Sequence, residues 1–423
     1  MNPNDLIKTR EDVARYLQPV ICGADNLGYS YIRCFHAEYG IKSIVVGSKD
    51  VKFVSTSSFA DFRQVEGLDK DETLMEALEG IGRELEGRKV PLLLGCGDFY
   101  ARIFSKHKAE LERWFVVPYI DFDLLDRITQ KEEFYRICEE LSIPYPKTRS
   151  YSCADPAVQI PVDEFSYPVV AKPSNSARYH YAEFEGKKKA FIVETPEELA
   201  TVFDRLKATV YDRELIVQDY IPGDDSHMGI VACFCDGRGD VRVSGVGKVL
   251  LEDHAPAAIG NPVCITSLDM PADELVAHAA RFLAHVGYTG YANFDVKYDA
   301  RDGEYKFFEV NTRPGQSSYF LTLAGVNFVV PIVEQFVLGE QVAERRADEP
   351  FIYHAVPRYV VSRTVEEPLR SRALALFAEN RRCGKEGCPL ISSADNFKHN
   401  RWARAVYMNQ IRKFKRYVWD KRS

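Results

Sequence analysis

The sequence predicts a mixed α/β protein in which a small open parallel α/β domain precedes a larger α+β portion. Three observations carry this expectation. Two strand–turn–helix–strand units fall within the first 118 residues. From about residue 145 onward, apolar strand-like runs alternate with polar turns. Near residue 300, two strand-like runs flank Asp302-Gly303, a strong hairpin signal.

The first βαβ unit is "PVICGADNLGYSYIRCFHAEYGIKSIVVG", with a helix expected from about Ser30 to Tyr39 and Gly40 closing it. A helical crossover between strands implies a parallel sheet. The second unit runs "VPLLLGCGDFY", then "ARIFSKHKAELERW", then an expected strand "FVVPYI". Gly23 and Gly28 do not fit the G-x-G-x-x-G dinucleotide pattern, so they mark either a plain tight turn or a ligand-binding one. Asp25 and Asp98 each follow a strand, where open sheets bind ligands. The amphipathic "DFDLLDRITQKEEFYRICEELSIPYPKT" places Phe134, Ile137, Cys138 and Leu141 on one helical face. The strands "YPVVAKPS" and "RELIVQDYIPGDD", and the helix "ADELVAHAARFLAH" from Ala272 to His285, lead to the hairpin "GYANFDVKYDARDGEYKFFEVN". Expected boundaries are 1–118, 119–340 with a subdomain at about 145–220, and a C-terminal extension at 341–423.

Composition narrows the function. The net charge of −7 gives no reason to expect nucleic-acid binding. No apolar run reaches membrane-spanning length, and "MNPNDLIKTRED" lacks an apolar signal region, so a cytoplasmic protein is expected. The ten scattered cysteines read as reduced thiols. "CGKEGC" (Cys383, Cys388) with His399 downstream is either half of a zinc site or, on its loose spacing, structural.

The chemistry concentrates in "FFEVNTRPG". Alternate strand residues share a face, so Glu309 and Asn311 point one way, as do Asn293, Asp295 and Lys297 on the preceding strand. Folding about the turn brings Asp295 near Glu309, and two facing carboxylates repel unless a cation lies between them. Hard oxygen ligands of this kind suit Mg2+. Lys172 ends an apolar strand where packing needs no lysine, and Lys131 opens a helix, where its charge opposes the dipole.

This order resembles the ATP-grasp fold of carboxylate–amine ligases. Such chains carry a small α/β domain, a helix-opening lysine, a strand-ending lysine, an adenine-gripping hinge and a metal-binding hairpin ending in Glu-x-Asn. The resemblance covers about residues 10–340. "EVNTRPG" resembles the metal motif of D-alanine–D-alanine ligases in its Asn-Thr and Pro-Gly, and of biotin carboxylase in its Asn-Thr-Arg. "GKVLLEDHAP" (Gly247–Pro256) is similar to the biotin carboxylase segment carrying a substrate-side lysine, which points to Lys248. The whole arrangement most resembles the D-aspartate ligases of peptidoglycan synthesis.

The resemblance implies ATP and Mg2+ as cofactors. It implies Lys131 and Lys172 on the phosphates, Gln218, Tyr220 and Ile221 at the adenine hinge, and Asp225 on the ribose. Asp295, Glu309 and Asn311 would hold the metal, and Arg313 would steady the transferred phosphoryl group. The implied reaction activates an amino-acid carboxylate, D-aspartate in that family, as an acyl phosphate and joins it to an amine on a stem-peptide precursor, possibly UDP-linked. A ligase making free dipeptides, or a nucleotide-binding scaffold, are the alternatives. Two departures stand out. The phosphate-covering loop reads "SNSARYHYAEFEGKKKA", with one glycine, Gly186, and few apparent apolar anchors; Ser174, Ser176, Arg178 or Lys187–Lys189 would have to replace the glycines. Asn293 stands where D-alanine–D-alanine ligases have an arginine. The basic tail "NFKHNRWARAVYMNQIRKFKRYVWDKRS" reads either as a helix docked on the core or as one lying on an anionic membrane surface.

Overall fold

A computed structural model describes residues 6–174, 179, 181–188, 190–256 and 258–420. The chain divides into two compact units, one of Met1–Ile137, Asp224–Val296 and Glu309–Ser423, the other of Cys138–Gly223 and Lys297–Phe308.

The first unit opens with a four-stranded sheet of β1 (Leu17–Cys22), β2 (Ser43–Gly47), β3 (Ala60–Gln64) and β4 (Val90–Gly95), in the order β3-β2-β1-β4 and parallel throughout. β2 and β4 are buried along their whole length, which is why they read as unbroken apolar runs. Helix Asn26–Tyr39 starts earlier than Ser30, because the Asp25 side chain accepts the Gly28 N–H at 3.0 Å and caps it. Gly40, at φ +67°, ends that helix in the left-handed conformation expected. "FVVPYI" is a correction: it forms a single bridge, Val116 to Leu92, and no strand. Pro118, without an N–H, cannot extend the pairing. β3, short and half-exposed, has too little apolar alternation to announce itself.

The second unit contains the antiparallel sheet of β5 (Thr148–Ser152), β6 (Val169–Pro173), β7 (Phe191–Val193) and β8 (Glu214–Asp219), ordered β5-β8-β6-β7. Helix Pro196–Lys207, capped by Thr195, buries Leu199, Val202, Phe203 and Leu206 in the core of this unit. The loop after β6 corrects its expected lack of apolar anchors. Tyr179 and Ala182 are buried in that core, Phe184 packs on it, and the Tyr179 hydroxyl donates to the Lys188 carbonyl at 2.6 Å. The aromatic residues are spaced among charges, so the stretch reads as polar in sequence. Ser176, Arg178 and Lys189 lie outside the described residues.

A seven-stranded sheet, most of it in the first unit, holds β9 (Met228–Cys235), β10 (Val241–Asp253), β11 (Asn261–Thr266), β12 (Gly290–Asp299), β13 (Glu304–Asn311), β14 (Arg345–Ala347) and β15 (Ile352–His354), the outer end of the β12–β13 hairpin falling in the second unit. Its order is β13-β12-β9-β10-β11-β15, with β14 added in parallel to β10. Residues 341–423 belong to the first unit. Their last helix, Phe397–Phe414, is capped by Asn396 and buries His399, Ala403, Gln410 and Phe414. The ring nitrogens of His399 face the carbonyl oxygens of Phe53 and Leu390, leaving none for a metal. Among the described residues no helix is long and apolar enough to cross a membrane.

The turn after β1 is tight. Gly23 sits at φ +111°, and a Cβ there would stand 2.6 Å from the Cys96 Cβ. Gly23→Ala is therefore expected to cost upwards of about 1–3 kcal/mol, seen as a lowered urea midpoint. Gly40→Ala, also left-handed but with open space around it, is expected to cost less.

Candidate active site

Packing sets the position of the hairpin acids. Phe134, on the helix Lys131–Glu140, meets Phe282 of helix Ala272–His285 with ring centroids 5.1 Å apart. Phe282 in turn meets Phe294 of β12 at 5.5 Å. Lys131 and Asp295 are thus anchored through one aromatic row. Asp295 and Asn311 lie together, the Asn311 Nδ2 donating to Asp295 Oδ2 at 3.3 Å. The Asn293 amide donates to the other Asp295 oxygen at 3.4 Å, and its own oxygen is buried without a partner among the described residues. Burial first, and then the neighbouring Glu309 carboxylate, push the Asp295 carboxyl up to about 8. The Lys131 ammonium stands 3.3 Å from Glu309.

Two acids pressed together, with an orphaned amide oxygen beside them, fit a divalent cation. Among the described residues no three His, Cys, Asp or Glu side chains form a cage. The set suits Mg2+, which keeps water and phosphate in its remaining positions.

Beyond β13 the chain meets the carboxyl ends of the first sheet. The Arg313 guanidinium donates to Asp98 at 2.8 Å, Asp98 being the first residue of the helix that follows β4. It also donates to the Pro314 carbonyl at 3.0 Å. Gln316 donates to Asp25 at 3.2 Å, and burial raises the Asp25 carboxyl above its usual range. Sequence reasoning marked Asp25, Asp98 and Arg313 separately; their meeting spans hundreds of residues and has no local signal. Behind Arg313 lies a water-sized cavity lined by Tyr31, Tyr119, Phe234, Tyr291 and Phe336. The Arg313 Nε and the Tyr31 and Tyr291 hydroxyls are buried there without a partner among the described residues.

Two other expected residues of this unit sit elsewhere, Lys248 on the large sheet and Asp225 in a short turn just before β9. Lys248, on β10, is separated from β12 by β9, and burial lowers its pKa against the pull of Asp269 and Asp224. Asp225 Oδ2 accepts the Glu252 N–H at 2.9 Å and faces the His254 ring nitrogen at 2.8 Å. In the second unit, the Lys172 ammonium donates to Gln218 Oε1 at 3.2 Å, and the Gln218 amide donates to Thr148 at 2.8 Å. Register explains the contact: Lys172 pairs with Ile216 and Val170 with Gln218 on adjacent antiparallel strands. Ile221 is buried, and Lys297 lies 5.7 Å from the Tyr220 ring centroid.

No family model matches the chain. The biotin carboxylase domain of 2-oxoglutarate carboxylase from Hydrogenobacter thermophilus, solved with MgADP and bicarbonate, superposes with a TM-score of 0.57 at 17% identity, covering 80% of this chain and 74% of that one. The L-amino acid ligase of Bacillus licheniformis gives 0.51 at 14% identity, covering 76% and 74%. The fold is ATP-grasp, and the protein is an ATP-dependent ligase that forms C–N bonds. The D-aspartate ligase of Enterococcus faecium (strain Aus0004) is 36% identical over 414 residues, 94% of this chain and 96% of that protein. The chain belongs to the D-aspartate ligase family.

The raised Asp295 pKa fixes the sign of a pH effect. If a cation takes the Asp295 carboxylate, it displaces a proton wherever that carboxyl is still protonated. Titration of Mg2+–ADP in buffers of different ionisation enthalpy is expected to show proton release at neutral pH that fades as the pH rises, and affinity that rises with pH. Asp295→Asn is expected to remove both effects.

Proposed function

We propose that the enzyme activates D-aspartate with ATP and joins it to an amine of a peptidoglycan stem-peptide precursor. The observation that carries this reading is the match to the Enterococcus faecium D-aspartate ligase along nearly the whole of both chains. The acids and the Arg313–Asp98 pair supply the chemistry it needs. The γ-phosphoryl group of ATP passes to a substrate carboxylate, giving an acyl phosphate and ADP. The amine then attacks the acyl carbon, phosphate leaves, and the proton lost by the amine goes to solvent or a nearby base.

In this reading Asp295, Glu309 and Asn311 hold Mg2+, which neutralises phosphate charge when bound. Lys131 exchanges its contact with Glu309 for a phosphate oxygen, and Lys172 serves another. Gln218, Tyr220 and Ile221 take the adenine, and Asp225 takes the ribose by exchanging its present contacts. Arg313 leaves Asp98 to hold the transferring group, its planar fork matching the phosphoryl oxygens. Lys248 faces the substrate side. A cytoplasmic location accords with the use of ATP and of a nucleotide-linked acceptor.

Two outcomes test the proposal. Glu309→Gln is expected to abolish ATP-dependent phosphate release while the thermal transition is kept. With ATP, Mg2+ and D-aspartate but no acceptor, hydroxylamine is expected to trap an aspartyl hydroxamate. Arg313→Ala is expected to lower its rate about 10²–10³-fold, with lysine restoring only part. If D-aspartate yields no hydroxamate while another amino acid does, the substrate assignment fails and the ligase chemistry stands.

A further inference from the structure

The C-terminal helix carries a charge pattern that the ligase reaction does not use. From Phe397 to Trp419 there are seven lysines and arginines and no acid. Lys413 is tied down, donating to Asp253 at 2.7 Å. The other six, Lys398, Arg401, Arg404, Arg412, Lys415 and Arg416, are exposed, and none forms an ion pair among the described residues. At helical spacing Arg401, Arg404, Arg412 and Lys415 fall along one stripe. The opposite side is the packed one, with His399, Ala403, Gln410 and Phe414 buried. The stripe is therefore held outward by the core and is about 21 Å long.

Two further features separate an anionic bilayer from a soluble polyanion. Phe397 (78% exposed) and Met408 (53% exposed) lie among the cations on the outward side. Where the helix runs out, the half-exposed Tyr359 stands edge-on to Trp419 with centroids 6.0 Å apart, and Arg363 covers the Trp419 ring at 4.3 Å. The Trp419 indole N–H donates to Thr364 at 3.0 Å, which fixes the ring in place. A soluble polyanion gains nothing from exposed apolar and aromatic groups, whereas the headgroup region takes both them and the cations. Nearby acids are few: Asp420 and Glu366 are exposed, Glu367 is paired with Arg370, and Asp50 is engaged by Lys52 and Ser55. The chain as a whole, at −7, is repelled by an anionic surface, so contact with one has to be local to a cationic face such as this.

We propose that helix 397–414 and its continuation to Trp419 form a peripheral docking surface for an anionic phospholipid bilayer. The attachment is electrostatic, reversible and set by the stripe of Arg401, Arg404, Arg412 and Lys415, with Phe397 and Met408 entering the headgroup layer. It is independent of the identity of the amino acid ligated.

Co-sedimentation of the full chain with vesicles tests this. Binding is expected to an equal mixture of phosphatidylglycerol and phosphatidylcholine, to be lost with phosphatidylcholine alone, and to fall steeply with salt. Replacing Arg401, Arg404, Arg412 and Lys415 by glutamine is expected to weaken partitioning several-hundredfold, about fivefold per cation. Lysine at the three arginine positions is expected to retain it, since the charge and not the fork is used. Phosphate release measured without vesicles should match wild type in every variant, which shows the fold intact. Equal sedimentation with both vesicle types, or an unaffected glutamine variant, overturns the proposal. So does binding to soluble polyphosphate without binding to vesicles.

Discussion

Asp295 and Glu309 are neighbouring carboxyls, and burial beside one another disfavours two full negative charges. Each surrounding feature answers that conflict. Asn311 and Asn293 direct amides at Asp295, Lys131 approaches Glu309, and Asp295 shifts toward its neutral form. The proton held on Asp295 relieves the repulsion at neutral pH, and a cation binding there would take that proton's place. The aromatic row of Phe134, Phe282 and Phe294 keeps β12 and the Lys131 helix in place, because moving either would open a void in a packed core. The unit spends apolar packing energy to keep an unfavourable polar arrangement ready for a divalent ion.

Much of this was legible in the sequence because strand periodicity is local. The two-residue spacing of Glu309 and Asn311, and the Asp-Gly turn between the strands, were enough to set the acids on facing strands. The parallel sheet at the N-terminus was readable for the same reason, since "VPLLLG" and "SIVVG" are apolar throughout. What could not be read is non-local. Nothing near Arg313 announces Asp98, and nothing near Gln316 announces Asp25. Local reading also failed where a single residue overrides its neighbours. Pro118 stops an apolar run from pairing, and Asp25 starts a helix inside a stretch containing a glycine.

The phosphate-covering loop shows a different limit. Its charges dominate the composition, yet Tyr179, Ala182 and Phe184 fasten the described part to the core of the second unit. Average polarity hides anchors that are few and widely spaced. In the described part of this loop Tyr179 and Ala182 are buried and Phe184 packs against them, so the loop is fastened by side chains that its composition conceals.

The pair between Arg313 and Asp98 has a consequence for selectivity. A lone buried guanidinium would capture any small anion that diffused in, including chloride or the phosphate released by turnover. With Asp98 already on the fork, an entering anion must displace an internal carboxylate before it gains anything. A weakly held ion cannot repay that exchange, whereas, on the proposed function, a phosphoryl group positioned by other contacts could. The protein thus carries a built-in competitor for its own guanidinium.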